Sequence, residues 1–319
     1  MGTVSDRPTL HPVAEANGKI ILVGEHAVVH GYPALAAAVE QRVRLSAEPS
    51  AARSTPIELR IPDWDVDLSL DPGDPHPIAR ASLEVLAASD GPVLGWSIRG
   101  TSDLPPRAGL GSSAALTVAM ARLVLGPHAP VRSIVDVSLS GEAVFHGSPS
   151  GIDSQIAARG GVLRYIRGEE PTALRIVTPL RLVVAPTHIA RSTADQVAKV
   201  QRKREQFPRC ADATLRALAD LVDPTETALL RHDTFGLGEI FTMAHHLLSA
   251  LDVSHPRLDE LCQLACNEGA TGAKLTGAGG GGSLIAVVPD ASAEDQVLHA
   301  LRSTGAPAFA TDIRGPAPT

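Results

Sequence analysis

Cysteine, aromatic side chains and long apolar runs are all scarce in this chain, and each shortage excludes a class of protein. Cys210, Cys262 and Cys266 are three in 319 residues, too few and too oddly counted for a disulfide framework. Cys262 and Cys266 share one face of a predicted helix, with no His or further Cys at zinc-ligand spacing, so core thiols are expected rather than a metal site. Aromatics make up 3% of the sequence, which leaves no stacking platform for bases. No uncharged apolar run approaches the length that crosses a bilayer. Residues 1–19 lack the apolar core of a secretory signal. A reducing cytoplasm is therefore the expected location. A basic face is missing too: 28 Lys and Arg stand against 35 Asp and Glu, for a net charge of −7, which argues against a nucleic-acid partner. The short basic stretch Lys199 to Arg204 reads as a solvated helix face.

What is present is an ordinary folding composition, 44% hydrophobic and 20% charged, with length for one large or two medium domains. Strands are predicted at Lys19–Val23, Val43–Ala47, Ile57–Ile61, Leu94–Ile98, Gly160–Tyr165, Leu180–Pro186 and Ser283–Val288. Helices are predicted at Ile78–Ala88, Ser112–Leu125, Ser133–His146, Ala194–Gln206, Ala211–Leu221, Thr225–Leu251 and Pro256–Glu268, with a last helix-strand pair at the end. The Asp- and Pro-rich segment Pro62–Pro77 reads as an irregular surface connection. Interspersed strands and helices predict two α+β domains, 1–179 and 180–319, with a cleft between them.

Four stretches carry chemistry. In Pro105-Pro106-Arg107-Ala108-Gly109-Leu110-Gly111-Ser112-Ser113-Ala114-Ala115, glycines run into a helix whose free N–H groups and dipole would hold a phosphate; a Gly-rich turn with a Ser cap is the plainer alternative. It is no Walker loop, because no Gly-Lys-Ser/Thr follows. In Gly272 to Ser283, the glycines Gly277, Gly279 and Gly282 spell a dinucleotide fingerprint, but a strand follows them where that motif needs a strand before and a helix after. Four consecutive glycines cost too much conformational entropy for a plain linker, so a loop pressed on a ligand or on the first loop is expected. Ser140 to Asp153 holds Glu142 on a helix, suited to a divalent cation on nucleotide phosphates, and Asp153 after a Gly-Ser-Pro turn, placed to orient or deprotonate a hydroxyl. Each alone is as well explained by a solvated Glu or a helix-capping Asp. Gly18 to Ala34 brackets a buried strand with Lys19, Glu25 and His26; His26 and His30 lack the Glu order of a zinc protease. His245 and His246 fall in an apolar helix pattern and receive no functional role.

The four stretches, in this order, resemble those of the GHMP small-molecule kinases, and the opening one resembles the branch whose acceptor is mevalonate. The likeness spans Gly18 to Val288. It implies a fold with a ribosomal protein S5 domain 2-like N-terminal domain and a ferredoxin-like C-terminal domain, the active site in the cleft. By that likeness Pro106, Arg107, Ala108, Gly109, Leu110, Gly111, Ser112, Ser113, Ala114 and Ala115 bind ATP, and Gly277, Gly279 and Gly280 form the motif that buttresses them. It further makes Ser113 and Glu142 the Mg²⁺ ligands, Asp153 the catalytic base and Lys19 the partner of that Asp. Glu25, His26 and Thr193, the last in Arg191-Ser192-Thr193, match residues near the substrate. Asn17 stands where the family usually has Pro, a change a backbone turn tolerates. Val28 departs from the Asp of galactokinases, and His26 from the Tyr of phosphomevalonate kinases.

The implied reaction is ATP-dependent phosphorylation of the C5 hydroxyl of mevalonate. A related acceptor (phosphomevalonate, a sugar or homoserine) is the alternative within the family. A nucleotide sensor without catalysis and a dinucleotide oxidoreductase are the alternatives outside it. A homodimer is what the likeness suggests, and no self-complementary surface is legible.

Overall fold

The computed structural model describes residues 9–105, 108–147, 149–190 and 192–316. The chain forms two compact units from interleaved segments: Met1–Gly18, Gln41–Leu104 and Gly111–Arg159 in the first, Lys19–Glu40, Pro105–Leu110 and Gly160–Thr319 in the second. Strands β1 (Val13–Val23) and β2 (Ala34–Pro49) each contribute to both.

In the first unit β3 (Ile57–Ile61) pairs antiparallel with β4 (Val66–Leu70) and parallel with β5 (Trp96–Ser102), and β5 pairs antiparallel with β2. The period of two in Ile57-Glu58-Leu59-Arg60-Ile61 becomes a buried face and an exposed face, as alternation dictates. Helices α1 (Pro77–Ala88), α2 (Ser112–Leu125), α3 (Val131–His146) and α4 (Ile152–Arg159) complete the unit. Helix α2 is buried without a break from Ala114 to Ala121 and packs against the other three, as expected of a helix apolar all round. Gly141 permits the closest of these approaches, since a Cβ there would meet Thr117 Cγ2 at 2.7 Å and the Ala81 carbonyl at 2.8 Å.

In the second unit β2 pairs antiparallel with β6 (Val162–Tyr165), and β6 with β7 (Thr172–Leu174). A separate antiparallel sheet has the order β11-β8-β10-β9, from β8 (Leu180–Pro186), β9 (Gly272–Thr276), β10 (Ser283–Val287) and β11 (Phe309–Ile313). Helices α5 (Thr193–Gln206), α6 (Pro208–Asp220), α7 (Val222–Arg231), α8 (Thr234–Ala250), α9 (Pro256–Asn267) and α10 (Ala291–Ser303) complete the unit, with α8 and α9 on β9 and β10, α10 on β8, and α6 and α7 against α8. Among the described residues no helix is long and apolar enough to cross a membrane.

Two local expectations are corrected. Pro62–Pro77 contains β4 and a short 3₁₀ turn, because Val66, Leu68 and Leu70 have a strand's period even among Asp and Pro. The helix expected over Thr225–Leu251 is two helices: His232, in the left-handed region at φ 52°, closes α7, and the Asp233 carboxylate accepts the Gly236 N–H at 2.9 Å to open α8. The strand expected after the Gly277 run is β10, and since β9 precedes the run the dinucleotide fingerprint fails for want of a following helix.

Strand β9 lies at an edge of its sheet, so its outward amides need other acceptors. His245 of α8 supplies one: Nδ1 accepts the Leu275 N–H at 3.2 Å, while Nε2 donates to Asp259 at 3.1 Å, an assignment that fixes the neutral tautomer. Burial foremost, aided by the Lys274 charge, pushes the His245 pKa below the ordinary histidine range, against the pull of Asp259. The unfolded imidazole takes up its proton near pH ~6.5 and the folded one only at lower pH, so stability falls as pH falls through that window. We expect the melting temperature to drop between about pH 7.5 and about pH 5.5, and the slope to flatten in His245→Gln. An unchanged slope in that variant would remove His245 as a cause.

Candidate active site

In the first unit the phosphate-loop sequence enters α2 through Gly111, whose φ of 76° makes it the N-cap without any side-chain cap. Ser112 is the first residue inside the helix, not the cap. Its Oγ is buried with no hydrogen-bond partner among the described residues. The α2 terminus therefore combines, among the described residues, the positive dipole end, first-turn N–H groups without a side-chain cap, and a buried hydroxyl in want of a partner. An anion satisfies all three. Ala114 and Ala115 are buried on the same first turn. Pro106 and Arg107 lie outside the described residues.

Three helices of this unit carry the other candidates. Ser113, on the first turn of α2, has its Oγ 3.3 Å from His146 Nε2 at the end of α3. Glu142 lies one helical turn before His146 and is 1% exposed. Asp153 occupies the first turn of α4, after Gly151 with φ of 86°. Helix α2 packs against both α3 and α4. Among the described residues no group of three or more His, Cys, Asp or Glu could hold a metal ion unaided.

The second unit stitches together the remaining motifs. The Lys19 N–H donates to Leu110 O at 2.8 Å, joining β1 to the Pro105–Leu110 loop. Ser283 Oγ donates to Ala108 O at 2.8 Å, so the third glycine motif presses on that same loop, as the cost of its glycines suggested. On its other side the motif meets the turn after β1, where His26 Nε2 donates to Ala278 O at 2.9 Å. Thr193 opens α5 on the exposed side, behind Ser192, which caps the helix through Asp195 N–H at 3.2 Å. One turn on, Gln196 lies over the motif, and a Cβ on Gly280 would stand 2.3 Å from its Nε2. Arg191 lies outside the described residues.

Glu25, expected near the substrate, lies in the interior of the second unit. Its side chain has no exposure and is ion-paired with Lys274 of β9, equally buried. Burial pushes the Glu25 carboxyl up and the Lys274 ammonium down from their ordinary ranges, while each charge opposes the shift of the other. Lys274 and Thr276 are the residues that sequence reasoning passed over. Thr276 Oγ1 accepts the Ile21 N–H at 2.8 Å and donates to Ile21 O at 3.0 Å, tying β9 to β1. The signal was there for Lys274: a lysine inside Gly-Ala-Lys-Leu-Thr, between a buried helix and a glycine run, is seldom buried without a partner.

Known proteins bear on this geometry. The family model for the GHMP kinases N terminal domain matches residues 78–161, and the one for GHMP kinases C terminal matches 225–307. The mevalonate kinase of Aeropyrum pernix is 36% identical over 94% of this chain and 95% of its own length; that of Pyrococcus abyssi is 34% identical with the same coverage. Among solved structures, L. major mevalonate kinase in complex with R-mevalonate superposes with a TM-score of 0.84 over the whole of both chains, at 25% identity. With a phosphate-ready helix terminus, a glycine motif bonded to the loop before it, and relatives alike from end to end, the chain belongs to the mevalonate kinases of the GHMP kinase family.

Proposed function

We propose that this enzyme transfers the γ-phosphoryl group of ATP to the C5 hydroxyl of mevalonate, giving 5-phosphomevalonate and ADP. The observation that carries the choice of acceptor is the end-to-end likeness to proteins named mevalonate kinase. The α2 terminus, with its orphan Ser112 hydroxyl, supports the choice of donor. In this reading residues 1–179 form the domain that handles the nucleotide and 180–319 the domain with the third glycine motif.

The step forms a bond from the mevalonate oxygen to the γ-phosphorus and breaks the bond from that phosphorus to the β–γ bridging oxygen. The hydroxyl proton passes to the Asp153 carboxylate. Transfers of this kind depend on alignment and on balancing charge, more than on covalent chemistry by the protein. Gly109 to Ala115 hold the phosphates, and Lys19 balances negative charge. His26 and Thr193 orient the acceptor. Mg²⁺ fits the donor set, because Ser113 and Glu142 offer only hard oxygens and too few to enclose an ion, leaving the other positions to phosphate and water. When bound it supplies neutralisation of the β- and γ-phosphate charge. A cytoplasmic setting suits the three free thiols.

The test is ADP release with ATP and Mg²⁺ across mevalonate, phosphomevalonate, galactose and homoserine. Mevalonate is expected to give a kcat/KM at least about a hundredfold above any other, a modest demand beside the roughly 10⁴–10⁵ by which a hydrogen-bonding site rejects an analogue that leaves its polar groups unpaired. Faster turnover of another alcohol would reassign the acceptor.

A further inference from the structure

We propose that Lys274 is a positioning residue for the acceptor: acting through Glu25, it sets the Gly24–His26 turn so that His26 reaches the third glycine motif. The proposal rests on the reading above that His26 orients mevalonate.

The Lys274 ammonium has three donors and three acceptors within reach: Glu25 Oε1, Leu275 O at 2.7 Å and Ile21 O at 3.5 Å. The Phe241 ring lies 5.7 Å from Nζ. Its partner is less well served, since Glu25 Oε2 is buried without a hydrogen bond among the described residues. Such a pair is a poor source of stability, because two apolar side chains of the same shape do as well in a dry interior. Geometry is the better account of its presence.

The backbone around Glu25 shows what that geometry is. Gly24 has φ of 94°, and a Cβ there would stand 2.6 Å from Ala34 Cα. His26 has φ of 59°, a region that residues other than glycine rarely adopt and that persists only when the surroundings enforce it. Glu25 sits between these two unusual residues with its carboxylate drawn into the interior. With Glu25 anchored inward, His26 is delivered to the Ala278 carbonyl. Lys274, Thr276 and Ala278 alternate along the chain and meet Glu25, Ile21 and His26 respectively, so two of the three ties hold adjacent residues of the turn. Removing the first of three such ties frees the turn at the end that carries His26.

The experiment compares the parent enzyme with Lys274→Met, Glu25→Gln, the double variant and Glu25→Asp. Lys274→Met alone leaves a buried carboxylate unpaired and is expected to lose thermal stability together with activity; parental values of both would overturn the proposal. The double variant removes both charges and is expected to regain a near-parental melting temperature. It should nonetheless keep a KM for mevalonate raised by about tenfold or more, the scale of a catalytic group slightly misplaced, with the KM for ATP within about twofold. The hydrogen-bonded His26 Nε2–H proton resonance, assigned with His26→Gln, should be present in the parent and absent from the double variant. Parental KM and a retained resonance in a well-folded double variant would reduce the pair to packing and overturn the proposal. Should the double variant not fold, Glu25→Asp decides: it keeps the charge but shortens the anchor, and an unchanged KM for mevalonate and His26 signal would overturn it as well. A parent that does not phosphorylate mevalonate refutes the functional reading instead, and the His26 resonance then still reports on the positioning.

Discussion

Asp153→Asn lowers kcat by about 10²- to 10⁴-fold, the range for removing a general base, while ATP affinity stays within about twofold. The carboxamide keeps the size and planarity of the side chain and can still accept a hydrogen bond, but it cannot take up the hydroxyl proton at neutral pH. In the reading proposed above the nucleotide is held at the start of α2 and not by Asp153, so its binding has no reason to change. Asp153 lies in the first turn of α4, where a carboxylate gains about 0.3–1 kcal/mol from the helix dipole. Losing that is worth less than one power of ten, too small to be mistaken for lost chemistry. Steady-state kinetics with an ATP titration separate the two effects. Parental kcat in the variant would take Asp153 out of the reaction.

Gly279→Ala is expected to damage the second unit twice over, through its backbone conformation and through a clash. Its φ of 75° is left-handed, which costs an L-residue about 1–2 kcal/mol. The added Cβ would also stand 2.0 Å from Val253 O, an acceptor that already receives the Gly280 N–H at 2.7 Å. Backbone must move on one side or the other, and that hydrogen bond goes with it, for a total of about 3 kcal/mol or more. The displaced loop is the one bonded to His26 and, through Ser283, to Ala108, so the KM values for both substrates should rise. Gly305→Ala is the control: φ is 83° but nothing lies within 4 Å of the new Cβ, so only the conformational cost applies. Equal losses of melting temperature in the two variants would refute the clash.

The parts of the site that follow from local rules were legible in the sequence. Ser112–Leu125 is a helix over just those residues because its apolar content leaves no other choice. The glycine loops announced themselves by composition. What escaped depended on partners distant in the chain. Nothing near Lys274 says that Glu25, 249 residues away, lies against it. Glu25 was placed near the substrate by its match to the family's opening motif, and neither that match nor its neighbour His26 reveals the buried pair with Lys274. The break between α7 and α8 was local, in the capping residue Asp233, but the apolar period running through it hid the signal. Ser112 taught the reverse lesson: a serine at a helix start reads as a cap, and only the conformation of Gly111 shows that the cap is the glycine and the hydroxyl is spare.

The imidazole that occupies the outer amide of β9 also closes the border of its sheet from within the molecule. Every residue of β9 is buried and α8 lies against it, so the edge is offered to a helix rather than to another strand. Protonation of His245 removes the acceptor, so acid loosens the join between α8 and the sheet, and a neutral ring keeps it.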